Sequence, residues 1–536
     1  MAQEGSLLNA CEAALQRVFP LSESGSIRID TLFGRPTPVR SLYPLAHVHP
    51  SDAQATHTSD APAVYKEHVI VSASWKPENG EDRMMYALEM FVYTLPTCGA
   101  GLLYVSKLDS TGFTPSAITT RSQIPDEYRH TPSVIAALTS ATITYFASRS
   151  HWREIPHITH VSVHVLARAQ PAYLFPSSSN HPRKHVLSDA ALIRWWQARL
   201  SESIHQVNIS QPNDLVSAFY VIPGYSRLDS HPLVPLVTSA SEQEPKSSKA
   251  YVRDAQWVYG HPYNFTDPQT NEHPALPLHP HPSEHRKVSG NEMQRRRCLS
   301  TLVPIFHDDP KGRFINELCA SAHEPGHRSA TNTMYGVPQA QREAMLEREA
   351  LDRIGIDQFC ESLGYRQECC SGNAVGVFVV NVSQLGLPDA RVVTASSQQE
   401  QSNEQSSLNS QPTDSHTASK RSAPHAQPDS LPTNTLENLL LKYMLQDACQ
   451  WSDETQAVQL TRQYHEALDR ASQKRTSQTS QQKLDEKNLW TTVQLEEFPE
   501  RLLKQPATDS TSSSTSTNTP PDSSVRVLSV KRKRRA

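Results

Sequence analysis

The stretch Ala172-Tyr-Leu-Phe-Pro-Ser-Ser-Ser-Asn-His-Pro-Arg-Lys-His-Val-Leu-Ser-Asp-Ala-Ala-Leu-Ile-Arg-Trp-Trp196 joins a cationic cluster to aromatic residues. A second stretch, Val303-Pro-Ile-Phe-His-Asp-Asp-Pro-Lys-Gly-Arg-Phe-Ile-Asn-Glu-Leu318, joins an acidic pair to aromatic residues. Neither contains a metal-ligand array or a glycine-rich phosphate loop. Clusters of this kind are suited to holding an anion and accepting a proton.

Around these two stretches the sequence alternates between strand-like and helix-like patterns. Runs rich in β-branched and aromatic residues predict strands at 68–74, 85–94, 101–106, 160–167 and 375–381, with a further element near 257–259. Apolar spacing and capping residues predict helices at 6–19, 134–148, 188–200, 311–322 and from 436 towards 468. Because strands and helices do not alternate regularly, we expect an α+β fold with a mixed central sheet surrounded by helices.

The composition divides the 536 residues into an apolar core and polar additions. Hydrophobic residues make up 37% of the chain, below the roughly 45–50% of an ordinary globular protein. We expect a folded core at 1–395 with a polar insertion near 226–300, and a disordered Ser/Gln-rich insertion at 396–434. A helix at 435–472 is expected to pack on the core, followed by a mostly disordered tail, 473–536, with a basic end.

Bulk properties exclude several classes of protein. The net charge of -4 argues against a chain that mainly coats nucleic acid. The eight cysteines form no paired CxxC array, which favours a reducing compartment with free thiols. No apolar run has the roughly 18 residues of a membrane span, and no secretion signal is expected at the beginning of the sequence.

Histidine patterns do not indicate a metal site. His323-Glu-Pro-Gly-His327 fits the HExxH pattern, but Pro325 and Gly326 would break the continuous helix that a zinc protease needs. His279, His281 and His285 lie among prolines without a cysteine or carboxylate framework. We therefore expect no metal.

Taken singly, the candidate residues also have structural explanations. Asp308 and Asp309 precede Pro310, where acidic residues commonly cap a helix. Lys184-His185 is typical of a solvated loop, and Trp195-Trp196 of a core helix. Asp109, next to Ser-Thr-Gly, has the pattern of a turn residue.

Taken together and in this order, the two stretches and Leu103-Tyr-Val-Ser-Lys-Leu-Asp-Ser-Thr-Gly-Phe113 resemble the fungal histone acetyltransferases that modify a core lysine of histone H3. These are the enzymes of the regulator of Ty1 transposition type, with a fold similar to that of the CREB-binding-protein acetyltransferases. The resemblance covers much of 6–382 and, more loosely, 435–470. It departs from the family at Leu166, where an aromatic residue is expected, and at Gln170, where a small residue is expected.

The resemblance implies the residues of an acetyl-CoA-dependent site. Asp309, Asp308, Asp109 and Trp196 would be catalytic, and Lys311 would be acetylated by the enzyme itself. The acetyl-CoA contacts would be Leu108, Asp109, Ser110, Arg121, Leu166, Arg168, Gln170, Tyr173, Lys184, His185, Val186, Leu187 and Trp195. The chemistry agrees, because lysine has a pKa of about 10.4 and must lose a proton before it attacks a thioester. Basic side chains would hold the phosphates of coenzyme A, and aromatic ones would line its tunnel.

The resemblance further implies a nuclear enzyme that acts on histone H3 with H4, assisted by histone chaperones of the nucleosome-assembly and anti-silencing types. No membrane association and no sequence-specific DNA binding are expected. Lys531-Arg-Lys-Arg-Arg535 is either a nuclear import signal, a nonspecific contact to histones or DNA, or a solvated tail. The alternative function is a noncatalytic chromatin adaptor that keeps the fold and binds a chaperone.

Overall fold

The residues that position the site belong to one large sheet and to helices on both of its faces. The computed structural model describes residues 6–39, 42–43, 45, 64–96, 99–119, 124–148, 151–152, 155, 158–235, 257–262, 299–321, 338–364, 374–384, 430–478, 489–499 and 502.

Ten strands in the described residues form this sheet. They are β1 Gly25–Phe33, β2 Thr37–Val39, β3 Val64–Pro77, β4 Arg83–Leu95, β5 Ala100–Ser110, β6 His160–Ala167, β7 Asp214–Val221, β8 Trp257–Tyr259, β9 Gly376–Gln384 and β10 Trp490–Leu495. The order across the sheet is β10-β1-β3-β4-β5-β6-β9-β7-β8, and β2 pairs with β3. Because β5 pairs with β6 and β7 with β8 in parallel while the other pairs are antiparallel, the sheet is mixed, as predicted.

The helices lie around this sheet, which confirms the α+β class. They are α1 Leu7–Leu15, α2 Val134–Ala147, α3 Asp189–Ser210, α4 Arg227–Ser230, α5 Leu299–Leu302, α6 Pro310–Ser321, α7 Gln339–Asp352, α8 Ile356–Leu363, α9 Thr433–Leu440 and α10 Glu454–Gln478. Ser6 and Ser133 cap α1 and α2 by accepting backbone N–H groups, as serine does at a helix start. Among the described helices, none combines the length and apolar character of a membrane span.

The two sheet faces carry different helices. On the first face, α1, α2 and α3 cover a large core that includes Leu103 and Val105 of β5 and Val163 of β6. On the second face, α9 and α10 cover one end of the sheet, where Trp451 is fully buried. The neighbouring part of this face meets α6 and its preceding loop, with Phe306 packed on Tyr104. The functional candidates are divided between these two faces.

The C-terminal region differs from its prediction in three places. The helix expected from 436 towards 468 is two helices, because the chain leaves α9 through a π-helical turn, Leu441–Leu445, and reverses before α10. The described chain resumes at Ser430, inside the predicted insertion, and Leu431 is buried. Strand β10 lies in the predicted tail: its β-branched residues allow pairing with β1, and Val493 and Leu495 pack on the first-face core.

Candidate active site

A β-bulge in β5 decides which side chains reach the second face. Leu102 and Tyr104 point to the second face, whereas Leu103 and Val105 point to the first. The register against β4 shifts at Ser106, so that Lys107 pairs with Glu89 and Val105 with Met90. An extra residue reverses the alternation of faces. As a result Lys107 and Asp109 lie on the same face as Tyr104, while Leu108 packs on the first-face core.

Strands β5 and β6 separate at the end where the predicted cofactor residues lie. Their parallel ladder ends at Val105 and Val165, although β5 runs on to Ser110 and β6 to Ala167. Leu108 and Ser110 therefore flank one side of the divergence. Leu166, Arg168 and Gln170 flank the other side or directly follow it. A gap at the end of diverging parallel strands is a favourable place for a ligand.

Asp109 ties the loop after β6 to β5. Its Oδ2 accepts the backbone N–H groups of residues 173–175 at 2.7, 2.9 and 3.1 Å, and its Oδ1 accepts that of Ser110 at 2.8 Å. The Lys184 ammonium group donates to the same Oδ1 at 2.7 Å. Five donors thus surround this buried carboxylate, which fixes the loop carrying Tyr173.

The residues of the predicted basic cluster differ in how deeply their side chains are buried. Lys184 is almost fully buried and donates to Asp109 and to Oγ of Ser178, at 2.7 Å each. His185 and Val186 are exposed, and Leu187 is half-buried. Arg168 is half-buried, and its carbonyl oxygen accepts the Tyr173 hydroxyl at 2.6 Å. Arg168 and His185 are therefore more accessible to a soluble anion than Lys184 is. Arg121 lies outside the described residues.

The predicted acidic pair forms the turn before α6. Asp309 caps the helix, because its Oδ1 accepts the Lys311 N–H at 2.9 Å. Its Oδ2 also accepts a hydrogen bond of 2.6 Å from the Lys311 ammonium group. Asp308 has a positive φ of 54°, and its carboxylate lies 2.9 Å from the Lys107 ammonium group. The structural explanation of Asp309 as a cap is therefore correct, yet this buried carboxylate also holds a lysine ammonium group.

Aromatic rings surround that lysine. The Lys311 ammonium group lies 5.2 Å from the ring centre of Phe306 and 5.7 Å from that of Tyr104. The two rings stack, with centroids 4.7 Å apart. Such rings attract a cation through their negative faces. Burial, with the carboxylates of Asp308 and Asp309, raises the pKa of Tyr104 well above its usual value, so its hydroxyl stays protonated.

His164 stands beside Tyr104 on the neighbouring strand. Burial, and to a lesser extent the charge of Lys311, lowers the pKa of His164 to about 3, so the ring is neutral at physiological pH. Ser162 donates to Asn381 at 2.7 Å, which leaves its oxygen to accept from His164 Nε2 at 2.8 Å. This network fixes the ring against Phe306, with centroids 4.9 Å apart.

These side chains line a cavity of about 40 Å³ between the sheet and helices α6 and α8. Tyr104, His164, Leu166 and Lys311 contribute to its wall, and Cys360 lies on the α8 side. Burial raises the pKa of the Cys360 thiol to about 12, so the thiol is neutral and a weak nucleophile. The cavity is suited to a slender, largely apolar group with a polar end, such as the side chain of lysine.

Trp196 does not join the acidic turn in this structure. It lies in α3 and packs in the first-face core, whereas Asp309 belongs to the second face. Its ring meets the half-buried Trp195 edge-on, with centroids 5.1 Å apart. Asp109 and Lys184 contact each other, as do Asp309 and Lys311, but Trp196 contributes to a separate layer.

Sequence reasoning missed Tyr104, His164 and Lys107. Alternation within the strand-like runs 101–106 and 160–167 indicates that Tyr104 and His164 each point to one face of the sheet, but not which loop covers that face. Lys107 could not be assigned to that face, because in a strand without a bulge its side chain would point to the other face of the sheet from Tyr104. Among the described residues, no cluster of metal-binding side chains is found, and the histidines at 279–285 and 323–327 lie outside them.

The fold and these motifs agree with comparisons to known proteins. Residues 118–498 match the histone acetyltransferase KAT11-type domain, which is more than half of the chain. The chain therefore belongs to the KAT11-type histone acetyltransferase family.

Individual relatives carry the name of one enzyme. The chain is 24% identical over 397 residues to the histone acetyltransferase rtt109 of Aspergillus flavus, a match covering 71% of this chain and 58% of that protein. It is 23% identical over 291 residues to the histone acetyltransferase rtt109 of Schizosaccharomyces pombe, covering 52% of each. The chain thus spans little more than half the length of the curated relatives it matches.

A solved structure supports the fold. The crystal structure of Rtt109 from Aspergillus fumigatus aligns with a TM-score of 0.54 and 18% identity. The alignment covers 92% of this chain and 99% of that one. At this level of identity the likeness establishes the architecture.

Proposed function

We propose that this protein transfers the acetyl group of acetyl-CoA to lysine side chains of histone H3, including the core lysine where DNA enters the nucleosome. One observation carries the proposal beyond family membership. A lysine of the chain itself, Lys311, lines the cavity, and its ammonium group is held by the buried carboxylate of Asp309. A pocket that holds one lysine in this way is suited to a substrate lysine.

In the proposed reaction, the substrate ammonium group takes the place that the Lys311 ammonium group holds beside Asp309 in this structure, and Asp309 accepts a proton from it. The neutral nitrogen then attacks the carbonyl carbon of the thioester, forming the amide and releasing coenzyme A, whose sulfur takes up a proton. A carboxylate positioned for such a transfer typically contributes about 100- to 10,000-fold in rate. The stacked rings of Tyr104 and Phe306 stabilise the cationic lysine before deprotonation. Asp308 supports the turn, and no cysteine intermediate is needed.

Acetyl-CoA is proposed to bind where β5 and β6 diverge. Leu108 and Ser110 would contact it from β5, and Leu166 and Gln170 from β6 and the loop that follows. Arg168 and His185 are accessible to its phosphates, and Tyr173, Val186, Leu187 and Trp195 to its apolar parts. Asp109 and Lys184 would take part by holding the loop, since the Asp109 carboxylate accepts five hydrogen bonds, four of them from the backbone. Trp196 would shape the pocket from the first-face core.

We propose the biological setting from the family resemblance. Histone H3 would be presented with H4 by chaperones of the nucleosome-assembly and anti-silencing types, in nucleosome assembly that maintains genome stability. The protein would act in the nucleus, with Lys531–Arg535 as its import signal.

The test is an acetyl-transfer assay with the full-length protein, radiolabelled acetyl-CoA and H3–H4, with and without each class of chaperone. Mass spectrometry then locates the acetylated lysines. We expect label on H3 that increases with a chaperone. Chaperone binding without acetyl-CoA binding or transfer would instead identify the protein as a noncatalytic adaptor.

A further inference from the structure

Lys107 connects the sheet to the acidic turn through two ion pairs. Its ammonium group lies 2.8 Å from Oε2 of Glu89 on β4 and 2.9 Å from Oδ2 of Asp308 in the turn before α6. Burial by itself would lower the pKa of Lys107, but the charges of Glu89 and Asp308 raise it, so the bridge stays cationic. The bulge at Ser106 is what turns Lys107 to this face.

The Glu89 end of the bridge is rigid. Its buried carboxylate lies 3.1 Å from Nε2 of His68 and accepts the Ser106 hydroxyl at 3.2 Å. Burial would raise its pKa, but His68 and Lys107 together lower the pKa to about 2, so Glu89 remains an anion. His68 is in turn stacked on Phe91, with ring centroids 4.7 Å apart. Lys107 is therefore held from the side of the sheet.

The turn at Asp308, by contrast, depends on contacts with the sheet to keep its conformation. Its φ of 54° lies in the left-handed region, which costs energy for any residue with a side chain. Its carboxylate is half-exposed, so burial does not fix it. Besides Lys107, the turn is held to the sheet by the His307 N–H, which donates to the Tyr93 hydroxyl at 2.9 Å. The next residue is Asp309, the proposed base.

We propose that Lys107 is a positioning residue for acetyl transfer: by linking Glu89 to Asp308, it fixes the acidic turn and keeps Asp309 aligned with the lysine at the cavity. This inference rests on the proposed function. Lys107 does not touch the Asp309–Lys311 pair; it acts through the backbone conformation of Asp308.

A positioning role and a merely structural role are distinguished by comparing the loss of turnover with the loss of stability. The Lys107–Asp308 ion pair has a half-exposed partner and contributes little to stability. Lys107 also pairs with the buried Glu89, so only a variant that keeps Lys107 breaks the link to the turn alone. Displacing a catalytic carboxylate by about 1 Å can cost up to roughly 100-fold in rate. Asp308→Asn, which keeps the Lys107–Glu89 pair, should therefore affect turnover far more than the unfolding free energy. Lys107→Met also leaves the buried Glu89 carboxylate without its ammonium partner and should lower stability as well.

The experiment uses the full-length protein with H3–H4 and a chaperone, and measures kcat, the KM for acetyl-CoA and thermal unfolding. We expect Lys107→Met to lower kcat by about tenfold or more while the KM changes little, and Lys107→Arg to recover part of the loss. Asp308→Asn should cause a similar loss, and the double variant should be no worse than either single one, because both break one link. Arg353→Met, which removes an exposed ion pair with Glu349, is the control and should behave like wild type.

Unchanged kcat in Lys107→Met, or losses that multiply in the double variant, would overturn the proposal. Amide hydrogen exchange of residues 306–311 reports on the turn independently of turnover, and Lys107→Met should accelerate it. If the wild type transfers no acetyl group, the proposed function fails; faster exchange would then still establish that Lys107 holds the turn. Unchanged exchange would eliminate that role as well.

Discussion

The Lys184 ammonium group lies 2.7 Å from the Asp109 carboxylate, and both side chains are almost fully buried. The family resemblance implied separate roles for them, Lys184 as a phosphate contact and Asp109 as a catalytic residue that also contacts acetyl-CoA. Their pairing instead joins the segment before α3 to β5, and it brings the loop of Tyr173 to the same carboxylate. This shared position gives both residues a measurable structural role.

Replacing Lys184 by Met should therefore destabilise the protein. Removing one partner of a buried ion pair costs about 3 kcal/mol, because Asp109 loses its only positively charged partner among the described contacts. Urea denaturation measures the loss, with His185→Ala as the exposed control. A variant that unfolds like the wild type but has a raised KM for acetyl-CoA would show instead that Lys184 binds the phosphates.

Asp309 has two proposed roles that one substitution can separate. In Asp309→Ser, the hydroxyl can still accept the N–H of Lys311 and cap α6, but the carboxylate is gone. We expect kcat at saturating acetyl-CoA to fall by about 100-fold or more. Loss of the buried ion pair with Lys311 lowers stability in any variant without the carboxylate, so the stability difference from the alanine variant measures the cap. Asp309→Ala, which loses both functions, is the comparison. Near-normal turnover of the serine variant would show that Asp309 caps α6 and is not the base.

Lys311 should become acetylated when the protein is incubated with acetyl-CoA alone. Its side chain lines the cavity, and acetylation would remove the charge that pairs with Asp309. Peptide mass spectrometry should find the modification at Lys311 in the wild type and much less of it in Asp309→Ser. The fraction of Lys311 acetylated per unit time should not depend on protein concentration. A fraction that rises with protein concentration would contradict modification within one molecule.

Glu67 predicts a pH dependence of stability away from the acidic turn. Burial raises its pKa from an ordinary 4.5 to about 8, and the nearby His151 is also buried, with its pKa lowered to about 4. Between pH 4.5 and 8 the folded state keeps a proton on Glu67 that the unfolded chain releases, so its contribution to the unfolding free energy declines. Glu67→Gln removes this loss.

We expect Glu67→Gln to gain stability relative to the wild type as the pH rises from 5 to 8.5. Urea denaturation at the two pH values measures the difference, and the exposed Glu78→Gln serves as the control. An equal effect of Glu67→Gln at both pH values would mean that Glu67 is ionised in the folded protein throughout.

Deletion of 525–536 tests the proposed import signal. The truncated protein, carrying a fluorescent fusion, should accumulate less in the nucleus because the run Lys531–Arg535 is removed. Unfolding of the purified truncation should match that of the full-length protein. Full nuclear accumulation of the truncation would require another route, such as entry with a bound chaperone.

The sequence predicted those parts of the fold that depend on local pattern. The runs at 85–94 and 160–167 are strands, because periodicity acts over a few residues. Helix α3 begins directly after Ser188, although the Ser188 side chain makes no capping hydrogen bond. The bulge at Ser106 was not predictable, since nothing in Leu103–Asp109 indicates an extra residue. The partner of Lys184 was equally hidden, because it lies 75 residues away in the chain.

The placement of β9 has a consequence for how the protein is made. This strand, Gly376–Gln384, lies between β6 and β7, both of which leave the ribosome long before it. Until β9 is translated, the facing edges of β6 and β7 cannot obtain the hydrogen bonds of the finished sheet, and unpaired strand edges invite association with other chains. A ribosome that stalls before residue 376 would therefore leave a nascent chain that is prone to aggregation until β9 pairs with β6 and β7.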